Sequence, residues 1–385
     1  MERTKVKKLA RQIRGVSYKP EDLHDSLDDN AVTLLRANNI DDGKINFDDV
    51  AYVDKSKVSD DQYLLPGDIL ICASSGSKQL VGKAASVAFD KPCTFGAFCK
   101  VVRPNSGMER YLGTYFQSGI YRREISAVAI GANINNVRNE HIDALELPIY
   151  SDDESNSIVT RMELLQRIID KRKTELDKLD ELIKARFVEL FEDGESPLKT
   201  VEEVCSDIVD CPHTTPKYEG ELKNPAIRTS EIKKGYIIWD SMRYVSDEEY
   251  EERIARLRPE AGDIVYGREG TFGNAAILPK GYKFCLGQRV MLLRPDYTKC
   301  TSEYLLHAVI SDDVYRQALE KNNASTVAHV NVKDVKQFII PLPSFDKQNQ
   351  FADFVKQVDK SKVVVQKALE EAQLLFDSLM QEYFG

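Results

Sequence analysis

A chain of 385 residues that is 42% hydrophobic and 30% charged has the composition of a globular protein with two or three domains. No apolar run approaches the roughly 18–20 residues of a membrane-spanning helix, and the charged N-terminus lacks the apolar core of a signal peptide, so we expect a cytoplasmic protein. The seven cysteines form no CxxC pair, which describes neither a disulfide framework nor a zinc site.

The net charge of −9 gives no support to nucleic-acid binding by itself, so its distribution along the chain matters more than its sum. Residues 1–150 carry 20 basic and 20 acidic side chains, and residues 196–343 carry 20 and 22. Most of the acidic excess lies in residues 151–195, with 8 basic and 13 acidic side chains, and in residues 344–385, with 5 and 7. The two larger segments are therefore close to neutral and can each present a basic face.

The first segment contains short apolar strands separated by glycine and proline turns. LLPGDILICASSG (64–76) places a Gly-Asp turn before a strand, and TFGAFCKVVRP (94–104) is a strand that runs into Arg-Pro. GSKQLVGKA (76–84) looks like a phosphate-binding loop, but five residues instead of four separate its glycines and Ala84 follows Lys83. A nucleotide triphosphatase is therefore not indicated.

Residues 151–195 predict a long helix. Ser151 and Glu154 form a capping box at its start, and Gly194 and Pro197 supply its end. Apolar residues recur in alternating steps of four and three, which is the period of a coiled-coil seam, with Arg172 and Arg186 as interruptions. The seam consists of Ile158, Met162, Leu165, Ile169, Leu176, Leu179, Ile183 and Leu190.

Residues 196–343 repeat the pattern of the first segment. The ordered matches are PEAGDIVYGREG (259–270) with 64–76, GNAAIL (273–278) with GKAASV (82–87), CLGQRVMLLRP (285–295) with 94–104, and FIIPLP (338–343) with LELPIY (145–150). Four ordered matches at an offset of 191–195 residues indicate an internal duplication. Helical stretches interleave with the strands, so each repeat is predicted to be an α+β domain.

A second long helix is predicted from Ser344 to the last residue, with Ser361 as the interruption of its seam. Each helix has roughly 40 residues and a length of about 60 Å. Two such seams in one chain are most simply satisfied by packing on each other, and the alternative is that one seam faces another subunit. The second seam consists of Phe351, Phe354, Val358, Val365, Ala368, Ala372, Leu375 and Leu379.

No catalytic constellation stands out. The five histidines fall in no metal-ligand spacing, and Asn224-Pro225-Ala226-Ile227 lacks the second proline and the aromatic residue of an amino-methyltransferase motif. What does stand out is DCPHTTPKY (210–218), a loop of hydrogen-bond donors and one aromatic residue between prolines, which suits contacts with phosphates and base edges. The same polar character extends to Arg268, Thr271, Arg289, Ser325, Thr326, His329 and Asn331.

These segments, in this order, resemble the target-recognition domains of type I restriction-modification specificity subunits. The matching segments are DCPHTTPKY, IRTSEIKKGYI (227–237), YVSDEEYEE (244–252), AGDIVYGREGTFGNAAI (261–277) and VNVKDVKQFIIPLPSFDKQNQF (330–351). IKARFVELFEDGESP (183–197) and DSLMQEYFG (377–385) resemble the ends of the family's two spacer helices. The resemblance covers the whole chain, more tightly in its second half than in residues 1–63.

The resemblance implies an α+β fold with recognition domains at 1–150 and 196–343 and antiparallel spacer helices at 151–195 and 344–385. It also implies a non-catalytic subunit in which each domain reads one half of a bipartite site in double-stranded DNA, while the helices set the spacer. Two modification subunits, which would carry S-adenosylmethionine and methylate adenines by base flipping, are expected to dock on the helices. Restriction subunits that use ATP and Mg²⁺ would join for cleavage, and neither a cofactor nor a membrane contact is expected for this chain itself.

Candidate DNA-binding residues follow from the polar loops and, in the first domain, mainly from alignment of the two repeats. The candidates in the second domain are Thr214, Thr215, Lys217, Tyr218, Arg268, Thr271, Arg289 and Asn331. The candidates in the first domain are Ser74, Ser75, Lys78, Gln79, Lys83, Asn133 and Asn135.

Overall fold

The computed structural model describes residues 2–77, 79–131, 136–191, 194–220, 223–270, 273–321 and 329–385. The chain forms two compact units. The first unit comprises Met1–Lys173 together with Gln366–Gly385, and the second comprises Thr174–Val365. Each unit therefore combines one of the two sequence repeats with segments of both predicted long helices.

The first unit contains short strands, short helices and parts of both long helices. Its strands are β1 (Arg3–Lys5), β2 (Ala10–Arg14), β3 (Leu23–His24), β4 (Ala31–Leu35), β5 (Ile40–Asp41), β6 (Lys44–Ile45), β7 (Ala51–Asp54), β8 (Ile69–Cys72), β9 (Ala84–Ser86), β10 (Cys93–Phe95), β11 (Cys99–Pro104) and β12 (Glu146–Pro148). Its shorter helices are α1 (Val6–Leu9), α2 (Glu109–Phe116), α3 (Gly119–Gly131) and α4 (Asn139–Asp143). Short 3-10 turns lie at Pro20–Asp22, Ala37–Asn39, Lys55–Lys57 and Asp60–Gln62. The long helix α5 (Asp152–Phe191) then leads from the first unit into the second.

The second unit continues with the strands β13 (Leu198–Thr200), β14 (Cys205–Asp210), β15 (Tyr218–Glu219), β16 (Asn224–Ile227), β17 (Arg243–Val245), β18 (Ile264–Gly267), β19 (Ala275–Ile277), β20 (Cys285–Leu286), β21 (Val290–Pro295) and β22 (Ile339–Pro341). Its helices are α6 (Val201–Val204), α7 (Asp247–Arg253), α8 (Ser302–Val309), α9 (Asp312–Lys321) and α10 (Val332–Lys336), with a 3-10 turn at Thr229–Glu231. The long helix α11 (Phe345–Phe384) begins here and ends in the first unit.

The two units share the topology of their four-stranded sheets. The strand orders β2-β11-β8-β9 and β10-β4-β7-β3 in the first unit correspond to β14-β21-β18-β19 and β20-β16-β17-β15 in the second. The parallel strand pair of the first unit, β4 with β10, is equivalent to the parallel pair of the second unit, β16 with β20. The predicted α+β fold with two similar domains is therefore confirmed. The correspondence includes β1, α1 and β2, which match β13, α6 and β14 although the sequence resemblance is loose over residues 1–63.

In each unit an ion pair joins the aspartate of the shared Gly-Asp turn to the arginine of the shared Arg-Pro strand end. In the first unit Arg103 donates from Nε and Nη2 to the two carboxylate oxygens of Asp68, at 2.8 and 2.7 Å. In the second unit Arg294 makes the same pair of bonds to Asp263, both at 2.8 Å. Both carboxylates are buried and also accept a backbone N–H. The sequence motif thus records a bidentate link between the turn and the strand end.

Both long helices pack through apolar seams within each unit. In the first unit the buried residues are Ile158, Val159, Met162 and Ile169 of α5 and Phe376, Met380 and Phe384 of α11. In the second unit they are Ile183, Phe187 and Phe191 of α5 and Phe351, Val355 and Val358 of α11. The beginning of each helix thus shares a core with the end of the other, which is the predicted antiparallel arrangement. Helical periodicity identified both seams because it follows the buried face.

One position of the seam prediction was wrong, and two buried aromatic positions near the end of α5 were missed. Leu375 is 49% exposed, and the buried position is the adjacent Phe376. Near the end of α5 the fully buried residues are Phe187 and Phe191, whereas Leu190 is only partly buried. Phe187 and Phe191 fall outside the regular 3.5-residue period because they pack against Tyr304 of the globular core as well as against Phe351 of α11. The capping box at the start of α5 is confirmed, with Ser151 N–H donating to the Glu154 carboxylate at 3.0 Å.

Candidate nucleic-acid interface

Four segments of the second unit are joined by hydrogen bonds into what we call the loop cluster: residues 210–218, 268–270, 287–289 and 329–331. Arg268 N–H donates to the Arg289 carbonyl at 3.0 Å, and Val330 N–H donates to the Arg268 carbonyl at 2.9 Å. Gln288 Nε2 donates to Thr215 Oγ1 at 2.9 Å. The structure therefore brings together four segments that are far apart in the sequence and that include most of the predicted site residues of this domain.

Arg268 lies inside the loop cluster rather than on its surface. It is only 5% exposed, donates to Asp210 Oδ1 at 2.8 Å, and donates to the Val330 carbonyl at 3.3 Å. Among the residues that the structure describes, its buried Nε has no hydrogen-bond partner. Burial of a guanidinium needs such a counter-charge, so this geometry explains Arg268 as a support for three segments and does not present it to a ligand.

A second buried arginine, which the sequence did not suggest, supports the same cluster from α7. Arg253 donates from Nη2 to the Thr214 carbonyl at 3.1 Å and from Nε to the Leu286 carbonyl at 2.9 Å. Its charge is balanced by Glu249 at 3.1 Å. In the sequence, EEYEERIARL has the appearance of an ordinary polar helix face, so no local signal marks Arg253.

The outer surface of the cluster carries the remaining candidates. Arg289 has a φ of +64°, a left-handed conformation that is unusual for a side chain with a Cβ, and its guanidinium lies 3.0 Å from Glu269. Its side chain is 62% exposed. Thr214, Thr215, Lys217 and Asn331 are exposed as well. These residues offer hydroxyl, ammonium, guanidinium and amide groups to solvent from one hydrogen-bonded platform.

Tyr218 serves the fold at least in part. It starts β15, is half-buried, and its ring lies under the guanidinium groups of Arg243 and Arg228, with 4.9 and 5.6 Å from each central carbon to the ring centroid. Burial raises the pKa of the Tyr218 hydroxyl. The ring is therefore engaged by cations of its own domain.

The first unit has the same backbone arrangement with different side chains. Ala73 N–H donates to the Phe98 carbonyl at 2.9 Å, and Val137 N–H donates to the Ala73 carbonyl at 2.7 Å. These bonds repeat those of Arg268 with Arg289 and of Val330 with Arg268. Ala73 thus occupies the place of Arg268, and Phe98 occupies the place of Arg289.

The candidates of the first unit lie on the connection between β8 and β9, which is four residues longer than its counterpart (73–83 against 268–274). Ser74 forms a bridge with Asn136, and Ser75 and Gln79 lie further along the loop. Lys83 lies 3.8 Å from Asp41. Ser74 and Ser75 also border a cleft of about 310 Å³ that the sequence did not reveal, together with Tyr18, Arg36, Asn38, Gly96 and Phe98.

Several predicted site residues lie outside the described residues. They are Lys78, Asn133 and Asn135 in the first unit and Thr271, Ser325 and Thr326 in the second. Among the residues that the structure does describe, no group of three His, Cys, Asp or Glu side chains is placed to hold a metal ion. Within the same part of the chain, no helix is long and apolar enough to cross a membrane.

Comparison with known proteins agrees with this architecture. Residues 213–373 match the family model of the type I restriction modification DNA specificity domain. The type I restriction enzyme EcoKI specificity subunit of Escherichia coli K12 is 28% identical over 96% of this chain and 84% of its own length. The StySPI specificity subunit of Salmonella potsdam is 38% identical over 45% of this chain and 37% of its own length.

Solved structures show the same fold at low sequence identity. The type I restriction-modification S subunit of M. genitalium has a TM-score of 0.52 at 14% identity, over 100% of this chain and 96% of that one. A chain from a study of complex assembly and conformational transition of the type I R-M system has a TM-score of 0.56 at 15% identity, over 99% and 97%. Residues 213–373 thus match a type I restriction modification DNA specificity domain, and the chain is similar over nearly its whole length to a type I restriction enzyme specificity subunit.

Proposed function

We propose that each unit reads one half of a bipartite site in double-stranded DNA. The observation that carries this proposal is that the two units share one scaffold, including the hydrogen bonds that hold the loops, but expose different side chains from it. Arg289 in the second unit and Phe98 in the first occupy equivalent positions and have opposite chemistry. A duplicated scaffold with divergent loops suits the recognition of two different base sequences, because direct readout depends on the donors, acceptors and apolar groups of a few side chains.

The two long helices are proposed to fix the distance between the two half-sites. Each has 40 residues and is therefore about 60 Å long. Major grooves on one face of DNA recur every ~34–36 Å. A pair of helices that pack along apolar seams resists bending, so their length converts into a number of unread base pairs between the half-sites.

The helices are also proposed to dock two modification subunits. Apolar side chains outside the seams support this, since each unit exposes several on the helices, such as Leu164 and Leu374 in the first and Leu182 and Val364 in the second. The proposal assigns S-adenosylmethionine and adenine methylation to those partners, and ATP and Mg²⁺ to restriction subunits. This chain would then contribute recognition and no chemistry of its own.

Genome-wide mapping of methylated adenines, with and without the gene, tests the proposal. We expect one bipartite motif that disappears with the gene. Exchange of residues 196–343 with those of a relative should change only one half of that motif. A motif in which both halves change would contradict the assignment of one half-site to each unit.

Two further measurements separate the proposal from other functions. Methyl transfer to DNA by the purified chain with S-adenosylmethionine alone would identify a stand-alone methyltransferase and overturn the proposal. The assembled complex should bind DNA in a sequence-selective and salt-dependent manner, because phosphate contacts release counterions. Binding that lacks both properties would indicate a scaffold without a role in DNA recognition.

A further inference from the structure

Phe98 lies at the tip of the connection between β10 and β11 in the first unit. Its side chain is 70% exposed, whereas the flanking strand residues Phe95 and Cys99 are fully buried. The backbone is held firmly, because the Phe98 carbonyl accepts the N–H groups of Ala73 and Ser74 at 2.9 and 3.0 Å. The ring is thus presented to solvent from a fixed position, and most of its apolar surface contributes nothing to the core.

The strand register makes Phe98 the structural counterpart of Arg289. Cys99 pairs with Cys72 at the start of β11, and Val290 pairs with Gly267 at the start of β21, so both tip residues immediately precede equivalent strands. In both units the tip carbonyl accepts an N–H from the residue that follows the neighbouring strand. One position of the scaffold therefore carries a guanidinium in one unit and a phenyl ring in the other.

Phe98 lies at the rim of a cleft in the first unit. The ring borders the cleft of about 310 Å³, which is also lined by Tyr18, Arg36, Asn38 and Ser74. Arg36 and Asn38 are both bonded to Asp49. An isolated exposed phenylalanine needs no explanation, but one that is fixed at the rim of a cleft with both apolar and polar residues in its lining provides an apolar contact next to hydrogen-bonding groups.

We propose that Phe98 determines the specificity of the first unit at one base pair, by packing its ring against the C5 methyl group of a thymine in the major groove. The thymine methyl is the apolar group that a base pair presents in that groove, so a phenyl ring can select through it. The proposal rests on the proposed function, since it assumes that the first unit reads DNA.

The test uses the complex with its modification subunits and DNA in which each thymine of the first half-site is replaced in turn by deoxyuridine, which lacks the methyl group. Wild type should lose about fourfold in affinity at one thymine, the value expected for one buried methyl group. Phe98→Ala should weaken binding to the thymine DNA and abolish the deoxyuridine effect at that position only. Phe98→Leu, which keeps an apolar side chain, should retain part of the effect.

Leu27→Ala is the matched control, because Leu27 is 60% exposed in the same unit and does not border the cleft. It should leave the deoxyuridine effect unchanged, and thermal unfolding should show that all variants are folded. The proposal is overturned if Phe98→Ala still loses the full affinity when thymine is replaced by deoxyuridine. It is also overturned if no deoxyuridine replacement lowers the affinity of wild type. Equal weakening of specific and nonspecific DNA by Phe98→Ala, without loss of the thymine effect, would also overturn it and indicate a wedge between bases. If wild type shows no sequence-selective binding at all, the proposed function fails instead.

Discussion

The two units carry different side chains at positions where their backbone hydrogen bonds are the same. Directly after β18 the second unit places Arg268, whose guanidinium joins three segments of the loop cluster, and directly after β8 the first unit places Ala73. The first unit supports its longer loop from outside, because Arg122 of α3 donates to the carbonyls of Gln79 and Val81. The same backbone hydrogen bonds are thus stabilised by different side chains.

This difference shows how the loops can diverge without loss of the fold. The residues that hold the sheets together are shared, as with the Arg103–Asp68 and Arg294–Asp263 pairs. The side chains that stabilise the loops differ between the two units. Substitutions in the first group should therefore act alike in both units, and substitutions in the second group should act in one unit only.

The largest effect is expected from the shared ion pair. Asp68→Ala and Asp263→Ala each leave a partly buried arginine and a backbone N–H without their carboxylate acceptor, which should lower the free energy of unfolding of the affected unit by about 3–5 kcal/mol. Hydrogen exchange resolved along the chain measures each unit separately. Asp313→Ala, which removes an exposed pair with Arg316, should cost less than about 1 kcal/mol. A strong effect in only one unit would show that the two ion pairs do not stabilise their units equally.

Arg268→Ala should destabilise the second unit alone, by about 2–4 kcal/mol, because it leaves the carboxylate of Asp210 without its buried partner. Adenine methylation that depends on the second half-site should fall in parallel, and Arg268→Lys should restore part of both. Thermal unfolding and methylation assays of the same preparations measure this. Loss of DNA binding at unchanged stability would instead favour the original prediction that Arg268 contacts a base.

Substitution of Arg289 should weaken DNA binding without reducing stability, unlike substitution of Arg268. Arg289→Ala should weaken binding to the second half-site by about 1–3 kcal/mol if the guanidinium contacts a base edge, with little change in stability. Arg289→Gly should also relieve the left-handed strain at a φ of +64°, which costs roughly 1–2 kcal/mol for other residues, and thus combine weaker binding with higher stability. Arg316→Ala, an exposed arginine away from the loop cluster, is the control in titrations of the complex with DNA. Unchanged affinity in both variants removes Arg289 from the site.

The sequence predicted the features that repeat and failed on those that depend on long-range contacts. The duplication, both long helices and the α+β class were predicted from periodicity and internal matches. Ordinary polar side chains in a sequence do not reveal which of them will be buried, so Arg268 was grouped with exposed candidates, and Arg253 was overlooked. Phe98 was overlooked because a phenylalanine beside a strand is usually core, and only the register shows that it lies at an exposed tip.

The smallest expected effect is a change of stability with pH, and the histidine contribution to it has opposite signs in the two units. His307 of α8 lies against Phe187 and Phe351, and burial, aided by Lys362 and opposed by Asp180, lowers its pKa from 6.5 to about 4. The unfolded chain then binds the proton more tightly, so the second unit should lose about 1–2 kcal/mol of stability as the pH falls from 7 to 5.

In the first unit the histidine response runs the other way. Asp28 and Asp54 raise the pKa of His24, so the stabilisation from this group is complete below the unfolded pKa of 6.5 and is lost as the pH rises through the folded value. Hydrogen exchange at pH 7 and pH 5, corrected for intrinsic rates, should show the second unit alone weakened by acid through this group. His307→Gln should abolish that difference, and His24→Asn should leave it intact. A second unit that is equally stable at both pH values would mean that His307 is not shielded from water as its contacts indicate.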